Sequence, residues 1–190
     1  MSVTALRPAA ICSDIKVAVP GDADVPALIE LINTLAAERN QLFIQPVDPI
    51  SGQSLLRSHL AAIAASGDEA VLVARDRDQL VGLITGMRGN HPARRGVVEI
   101  GIGVRASHRS RGVGFSLMMA LERWAREAGC HRLSLRVVTR NTPAIALYRK
   151  AGFEVEGMLE ATAILDSQRI DELQMGKTLG PPQPPLKAPH

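Results

Sequence analysis

Apolar residues recur along this chain with two different periods, and each change of period marks the border of a predicted element. Spacing of three to four residues predicts amphipathic helices at 25–36, 55–64 and 113–128. Alternating or continuous apolar runs predict strands at 15–19, 70–74, 80–85, 98–104, 133–137, 153–164 and 169–175. A short fourth helix is predicted at 141–152, because Asn141 is a good N-cap, Pro143 suits the first turn and Gly152 suits the end.

The predicted order of elements is strand, two helices, three strands, helix, strand, helix and two strands. This order indicates a mixed α/β fold with hairpins and one crossover, not a doubly wound dinucleotide-binding sheet. Residues 14–179 are expected to form one domain. A loose lead-in at 1–13 precedes it, and a proline-rich tail at 180–190, expected to be disordered, follows it.

The composition narrows the function without identifying it. The chain has 190 residues, 46% of them hydrophobic, and its net charge of +3 comes from 22 basic and 19 acidic residues. An aromatic content of 3% is poor material for stacking on bases, so nucleic acid is not an expected partner. Cys12 and Cys130 suggest neither a disulfide framework nor a metal site, and the five histidines lack metal-binding spacing. Since no membrane span or signal-peptide core is found, a cytoplasmic location is expected, with no membrane partner.

Residues 98–115 carry the strongest chemical signal. An apolar strand is followed there by a loop of arginines and glycines, and then by a long amphipathic helix. Glycines at a helix start let a ligand approach N–H groups that have no intrahelical partner. The helix dipole and the arginines favour an anion at the same place. The stretch therefore predicts a site for a phosphate-bearing ligand, although an ordinary turn with solvated arginines would give the same motif.

Two nucleotide-binding motifs fit this stretch poorly. The letters at 101–106 match G-x-G-x-x-A, but Ile100, Ile102 and Val104 continue a strand through the motif, whereas the helix should open within it. A Walker loop requires Lys and then Ser or Thr after its last glycine, where this chain has Phe115 and Ser116. Neither of these nucleotide sites is expected.

A third motif fits both the letters and the elements. The pattern R-x-x-G-x-G at 109–114 resembles the acyl-CoA pyrophosphate loop of the GNAT family of N-acetyltransferases. The pattern N-x-x-A-x-x-L-Y-x-K-x-G-F at 141–153 resembles the start of the last helix in that family. The resemblance extends in element order over 15–177. It departs from the family at Ala106 and His108, and neither departure removes a backbone donor.

The resemblance implies both a fold and an activity. The fold class is α/β, with a GNAT-type mixed, mostly antiparallel sheet of six to seven strands flanked by about four helices. The activity is acyl-CoA-dependent N-acyltransfer, with acetyl-CoA as the cosubstrate and no metal. The acceptor is a primary amine of a small molecule or peptide. A non-catalytic acyl-CoA-binding or sensor module on the same scaffold is the alternative, and a homodimer is left open.

The resemblance also assigns residues to the cofactor site. The residues expected to bind acetyl-CoA lie in the strand, the loop and the two helix starts: Ile102, Gly103, Val104, Arg109, Arg111, Gly112, Val113, Gly114, Phe115, Asn141 and Tyr148. Asn141 is expected to hydrogen-bond the pantetheine arm, with a simple helix cap as the alternative. Tyr148, the only tyrosine, is expected to protonate the leaving sulfur, with a ring that only packs in the core as the alternative.

Acidic residues are expected to remove a proton from the acceptor amine. An alkylamine has a pKa near ~10.4, so it must lose a proton before it attacks the thioester. Glu99, an acid within an apolar strand, is the first candidate for the general base; Glu38, Asp171 and Glu172 are held in reserve. By the resemblance, acceptor specificity comes from 39–52 and 165–171. The apolar cluster at 42–44 favours an amine with some apolar body.

Overall fold

A computed structural model describes residues 15–38, 44–165 and 167–180. The predicted lead-in at 1–13 and all but the first residue of the predicted tail lie outside these ranges, as do Leu42 and Phe43. The described residues form the predicted order of elements. Four α-helices lie in these ranges: α1 Val25–Ala37, α2 Ser51–Ser66, α3 Val113–Glu127 and α4 Thr142–Lys150. The same ranges contain seven strands: β1 Ile15–Ala18, β2 Glu69–Asp76, β3 Gln79–Arg88, β4 Val97–Val104, β5 Arg132–Val138, β6 Glu154–Leu165 and β7 Gln168–Thr178.

The strands form one mixed, mostly antiparallel sheet, which confirms the predicted fold class. The strand order is β1-β2-β3-β4-β5-β7-β6, and only β4 and β5 run parallel. Their pairing covers three rows, from Val97 opposite Arg132 to Glu99 opposite Ser134. Both strands continue beyond the last row, to Val104 and Val138. The sheet therefore opens between β4 and β5 at its centre.

Helices cover the two faces of the sheet with separate apolar clusters. On one face, called the α3 side, α3 and α4 bury residues such as Leu117 and Ile145 against β3, β4 and β5. On the other face, called the α1 side, α1 buries Leu28, Leu31 and Leu35 against β2 and β3. The sheet is therefore the middle layer between two sets of helices. Its central opening faces α3 and α4 on one side and α1 on the other.

Alternate residues of β4 belong to different sides of the sheet. Ile100, Ile102 and Val104 pack into the α3-side cluster. A Cβ on Gly103 would lie 2.7 Å from the Leu35 side chain, which places the odd-numbered positions on the α1 side. The β3–β4 register is regular from Arg88 to Gly82, so no bulge shifts this alternation.

Several predicted borders differ from those of the structure, among them the β2–β3 turn and the start of α2. The predicted strands at 70–74 and 80–85 leave the polar segment 75–79 between them, but β2 continues to Asp76 and β3 starts at Gln79. Polar residues can extend the strands there because their side chains find polar partners outside the apolar core. Arg75, for example, pairs with Asp24 at 2.5 Å. The second helix starts at Ser51 rather than at 55, since Asp48 accepts hydrogen bonds from the N–H groups of Ile50 and Ser51. No helix in the described ranges is long and apolar enough to cross a membrane.

Candidate active site

A cleft of about 570 Å³ lies on the α3 side, between β4, the start of α3 and α4. Most residues predicted to bind the cofactor line this donor cleft: Ile102, Gly103, Val104, Arg109, Gly112, Gly114, Phe115, Asn141 and Tyr148. The two motifs are thus brought together from positions far apart in the chain. Arg111 and Val113 are not among the lining residues: Arg111 is exposed, and the Val113 side chain is buried in the core.

Backbone groups of β4 point into the opening of the sheet. The carbonyl of Val97 accepts from Gly89, and the N–H of Arg105 donates to Val81, so the odd-numbered positions bond to β3. In an antiparallel pair the residues in between direct their N–H and C=O groups to the opposite side. Beyond the last β4–β5 row, the N–H and C=O groups on that opposite side face the opening between the two strands. The N–H groups of Ile102 and Val104 can therefore pair with an extended ligand that carries its own amides.

The first turn of α3 lies at one end of the cleft and has the features of an anion-binding site. Gly112 is the N-cap and has φ +85°, a left-handed conformation that suits glycine. Gly114 keeps the space between α3 and α4 open, because a Cβ there would lie 2.9 Å from Cδ2 of Leu147. Val113 can contribute only its backbone N–H, since its side chain is 1% exposed. Free N–H groups and the positive end of the dipole converge at this turn.

Arg109 is held in place by two protein groups. Its Nε donates to the carbonyl of Val104 at 3.0 Å, and its guanidinium pairs with Glu38. The same carboxylate accepts from the N–H of Ala106 at 3.1 Å. Glu38 therefore ties the end of α1 to the loop that precedes the helix. Its reserve role as general base stays a prediction, as does phosphate binding by Arg109.

Two cationic residues of the cleft were missed by the sequence analysis. Arg140 precedes α4 and donates to Gln168 at 3.1 Å, while Lys150 ends α4 with its Nζ 5.0 Å from the centre of the Phe115 ring. Their signal was present, because Arg140 directly precedes the second motif and Lys150 is one of its letters. With Arg109 they place three positive charges around a cleft that ends at a helix N-terminus.

Asn141 and Tyr148 each have a structural role and also line the cleft, while their roles toward a bound donor stay predictions. The Asn141 side chain accepts from the N–H of Ala144 at 3.3 Å and so caps α4, while the residue also lines the cleft. Tyr148 packs at 6.1 Å from Phe153, is 6% exposed and also lines the cleft. Burial raises the pKa of its phenol to about 12. The hydroxyl therefore remains protonated at neutral pH and can donate a hydrogen bond.

The candidate acids lie outside the donor cleft. Glu99 is exposed on the α1 side, at the last paired row before β4 and β5 separate. The carboxylate of Asp171 accepts from the N–H of Ala161 at 2.8 Å and so holds the β6–β7 hairpin. Glu172 lies on β7 and is 8% exposed. The catalytic roles of these acids stay predictions. In the described ranges, no cluster of three or more His, Cys, Asp or Glu side chains could hold a metal.

Comparisons with known proteins agree with this geometry. The family model described as "Acetyltransferase (GNAT) family" matches residues 35–153. The L-amino acid N-acetyltransferase AaaT of Escherichia coli is 33% identical over 110 residues, which cover 56% of this chain and 66% of that protein, just under two thirds. The L-methionine sulfoximine/L-methionine sulfone acetyltransferase of Pseudomonas aeruginosa is 28% identical over 145 residues, covering 73% of this chain and 80% of that protein.

A solved structure shares the same fold. YncA from Salmonella typhimurium, solved with its cofactor acetyl-CoA, aligns with a TM-score of 0.81 and 20% sequence identity. The alignment covers 93% of this chain and 100% of that one.

Proposed function

The chain belongs to the acetyltransferase (GNAT) family, and on that premise we propose that it transfers the acetyl group of acetyl-CoA directly to a primary amine of a small molecule. The observation that carries this proposal is the opening between β4 and β5. The opening connects the donor cleft on the α3 side with the acidic residues on the α1 side. A thioester bound in the cleft can therefore meet an amine that arrives from the other face.

The residues of the cleft support each part of the transfer. The turn at Gly112 and Gly114, with Arg109 beside it, suits the pyrophosphate of the donor. The β4 amides can pair with the pantetheine arm and with the oxygen of the thioester, which becomes an oxyanion when the amine attacks. The C–N bond forms, the C–S bond breaks, and the sulfur takes a proton. Tyr148 lines the cleft with a protonated hydroxyl, which can donate a hydrogen bond to the sulfur as the C–S bond breaks.

The acceptor is proposed from the relatives and not from the cleft. Two relatives are named for acetylating an L-amino acid or the amino acid analogues methionine sulfoximine and methionine sulfone. Amino acids are therefore the first acceptors to test, followed by polyamines, aminoglycosides and peptide N-termini. The alternative is a non-catalytic acyl-CoA-binding module, which would not need a buried tyrosine in the cleft.

One experiment separates these functions. The purified protein is incubated with acetyl-CoA and each amine, and the release of free thiol is measured together with the mass of the acetylated product. We expect thiol release that depends on one class of amine and is lost in Gly114→Val. Tight acetyl-CoA binding by calorimetry, without amine-dependent thiol release for any class, would instead establish the non-catalytic module.

A further inference from the structure

Two opposite charges on the α1 side of the sheet, Arg136 and Glu172, have no ion-pair partner among the described residues. Arg136 on β5 is exposed, and Glu172 on β7 is buried. Within the described ranges, neither side chain makes a hydrogen bond or an ion pair with another residue. Neighbouring charges on the same strands behave differently, since Arg132 pairs with Glu156 and Lys177 pairs with Glu122. Within these ranges Glu172 is a buried charge without such a partner, whereas Arg105, which is also buried, pairs with Glu30.

The pair lies on one face, within reach of a shared ligand. Glu172 is opposite Val138 in the β5–β7 register, and Arg136 is two residues before Val138. Such diagonal neighbours on a sheet are roughly 7–8 Å apart at their Cα atoms. Gln174, on the same face, donates to the Ser134 hydroxyl at 2.8 Å, which fixes the orientation of this surface. The two charges could meet directly, yet no ion pair joins them.

The pair is also level with the reacting end of the donor cleft. The last β4–β5 row joins Glu99 to Ser134. Counting onward along both parallel strands places Ile102 level with Val137. Ile102 lines the donor cleft on the α3 side, whereas Arg136 lies beside the same opening on the α1 side. An acceptor held by the pair can therefore reach a thioester that lies in the opening.

The energetics of a buried carboxylate favour a bound cation. An ionised carboxylate that loses its water costs free energy unless it gains a partner of opposite charge. An amine acceptor arrives as an ammonium at neutral pH, because its pKa is near ~10.4 for an alkylamine and about 8 for an α-amino group. The Arg136 guanidinium matches a carboxylate in a two-point contact. A molecule with an ammonium and a carboxylate on one carbon fits both groups.

We propose that Arg136 and Glu172 form the acceptor site, in which Arg136 binds the carboxylate and Glu172 the ammonium of an α-amino acid. This inference rests on the proposed function: it narrows the acceptor to α-amino acids and assigns two residues to bind them. The ammonium loses two protons during transfer. One leaves through the Glu172 carboxylate to solvent, and the other is balanced by the proton that the departing sulfur gains. The products are the N-acetylamino acid and the free thiol.

The test compares three acceptors that differ only at the carboxylate: L-methionine sulfone, its carboxamide and its decarboxylated amine. For the unsubstituted protein we expect kcat/KM to be about 10- to 100-fold higher for the acid than for the other two, as for the loss of a hydrogen bond to a charged group. Arg136→Gln should remove this preference by lowering only the rate for the acid. Arg136→Lys should restore part of it. Arg123→Gln, an exposed arginine on α3, is the matched control.

Glu172→Gln should lower kcat/KM for all three amines, while Glu127→Gln on α3 should not. Since the substitution removes a buried charge, the melting temperature should stay the same or rise, which a purely structural role would not predict. Equal rates for acid and carboxamide in the unsubstituted protein, or equal losses for both in Arg136→Gln, would overturn the inference. If the protein acetylates another amine but none of these three acceptors, the inference is overturned and the proposed function still stands.

Discussion

Replacing Tyr148 by phenylalanine separates the chemistry of its hydroxyl from the packing of its ring. The ring is 6% exposed and stacks at a tilt against Phe153, and phenylalanine keeps that contact. Within the described ranges, the hydroxyl has no hydrogen-bond partner. The substitution therefore removes one proton donor from the cleft without breaking a bond that the fold uses. We expect Tyr148→Phe to fold with unchanged stability at neutral pH.

The raised pKa of Tyr148 sets the size of the expected effect. Its pKa of about 12 lies about two units above the ordinary value, which makes the phenolate less favourable by about 3 kcal/mol. A thiol has an ordinary pKa of about 8.5, so complete proton transfer to its thiolate would be uphill by about 5 kcal/mol. Tyr148 should thus act by hydrogen-bonding the sulfur as the C–S bond breaks. We expect kcat to fall by about 100-fold, the lower end of the range for a general acid.

The assay is a pair of measurements on the wild type and Tyr148→Phe. Thiol release gives kcat across pH, and calorimetry gives the Kd for acetyl-CoA. The kcat should fall while the Kd changes by less than about threefold, since only the transition state loses an interaction. Because the phenol stays protonated far above neutral pH, the wild-type profile should show no decline from Tyr148 up to about pH 10.

Stability gives an independent check of the same pKa. The pKa of Tyr148 is higher in the folded state than in the unfolded chain, where it is about 10. Its contribution to the free energy of unfolding is therefore complete below about pH 10 and is lost as pH rises from about 10 to about 12. Over that range the wild type should lose about 2–3 kcal/mol more than Tyr148→Phe. Equal kcat values for the two proteins would refute the role of the hydroxyl and leave the ring as packing.

Three other substitutions test the rest of the site. Gly114→Val should weaken acetyl-CoA binding by at least about tenfold in calorimetry, since the new side chain would occupy the cleft against Leu147; Gly157→Val, where a Cβ meets nothing within 4 Å, is the control. Arg109→Ala should raise the Kd for acetyl-CoA by about tenfold through the loss of charge-assisted contacts, and an unchanged Kd would contradict phosphate binding. Glu99→Gln should lower kcat at neutral pH, and the difference from the wild type should shrink at higher pH, where more of the amine is already neutral. An equal loss of kcat at every pH would instead give Glu99 a role in positioning the acceptor.

The parts of this fold that depend on short stretches of sequence were predictable. The loop before α3 and the start of α4 depend on residues within a few positions of one another, such as Gly112 in its left-handed conformation and Asn141 as a cap. Local geometry of this kind is determined by the residue types themselves. The same holds for the end of α2 at Gly67, which has φ +66°.

The parts that depend on distant residues were not predictable from a single sequence. Arg105 looked like one more positive charge of the loop, but it is 9% exposed and donates to the Leu80 carbonyl at 2.9 Å. It also reaches Thr34 and Glu30 on α1, about seventy residues away in sequence. The face of the sheet on which Glu99 lies could not be predicted either. Its neighbours in β4 are apolar at consecutive positions, which fits burial on both faces, so only the pairing of β4 with β3 determines which residues point to which face.

The opening between β4 and β5 has a consequence for how this protein can change. The donor cleft uses the α3 side and the backbone of β4, while Glu99, Arg136 and Glu172 occupy the α1 side. Side chains on the two faces alternate along the same strands, so a substitution on one face leaves the other nearly untouched. If the acceptor binds as we propose, natural selection or directed evolution can alter the preferred amine at Arg136 while acetyl-CoA affinity is inherited unchanged. Acceptor range and donor affinity are then separately evolvable traits of a single sheet.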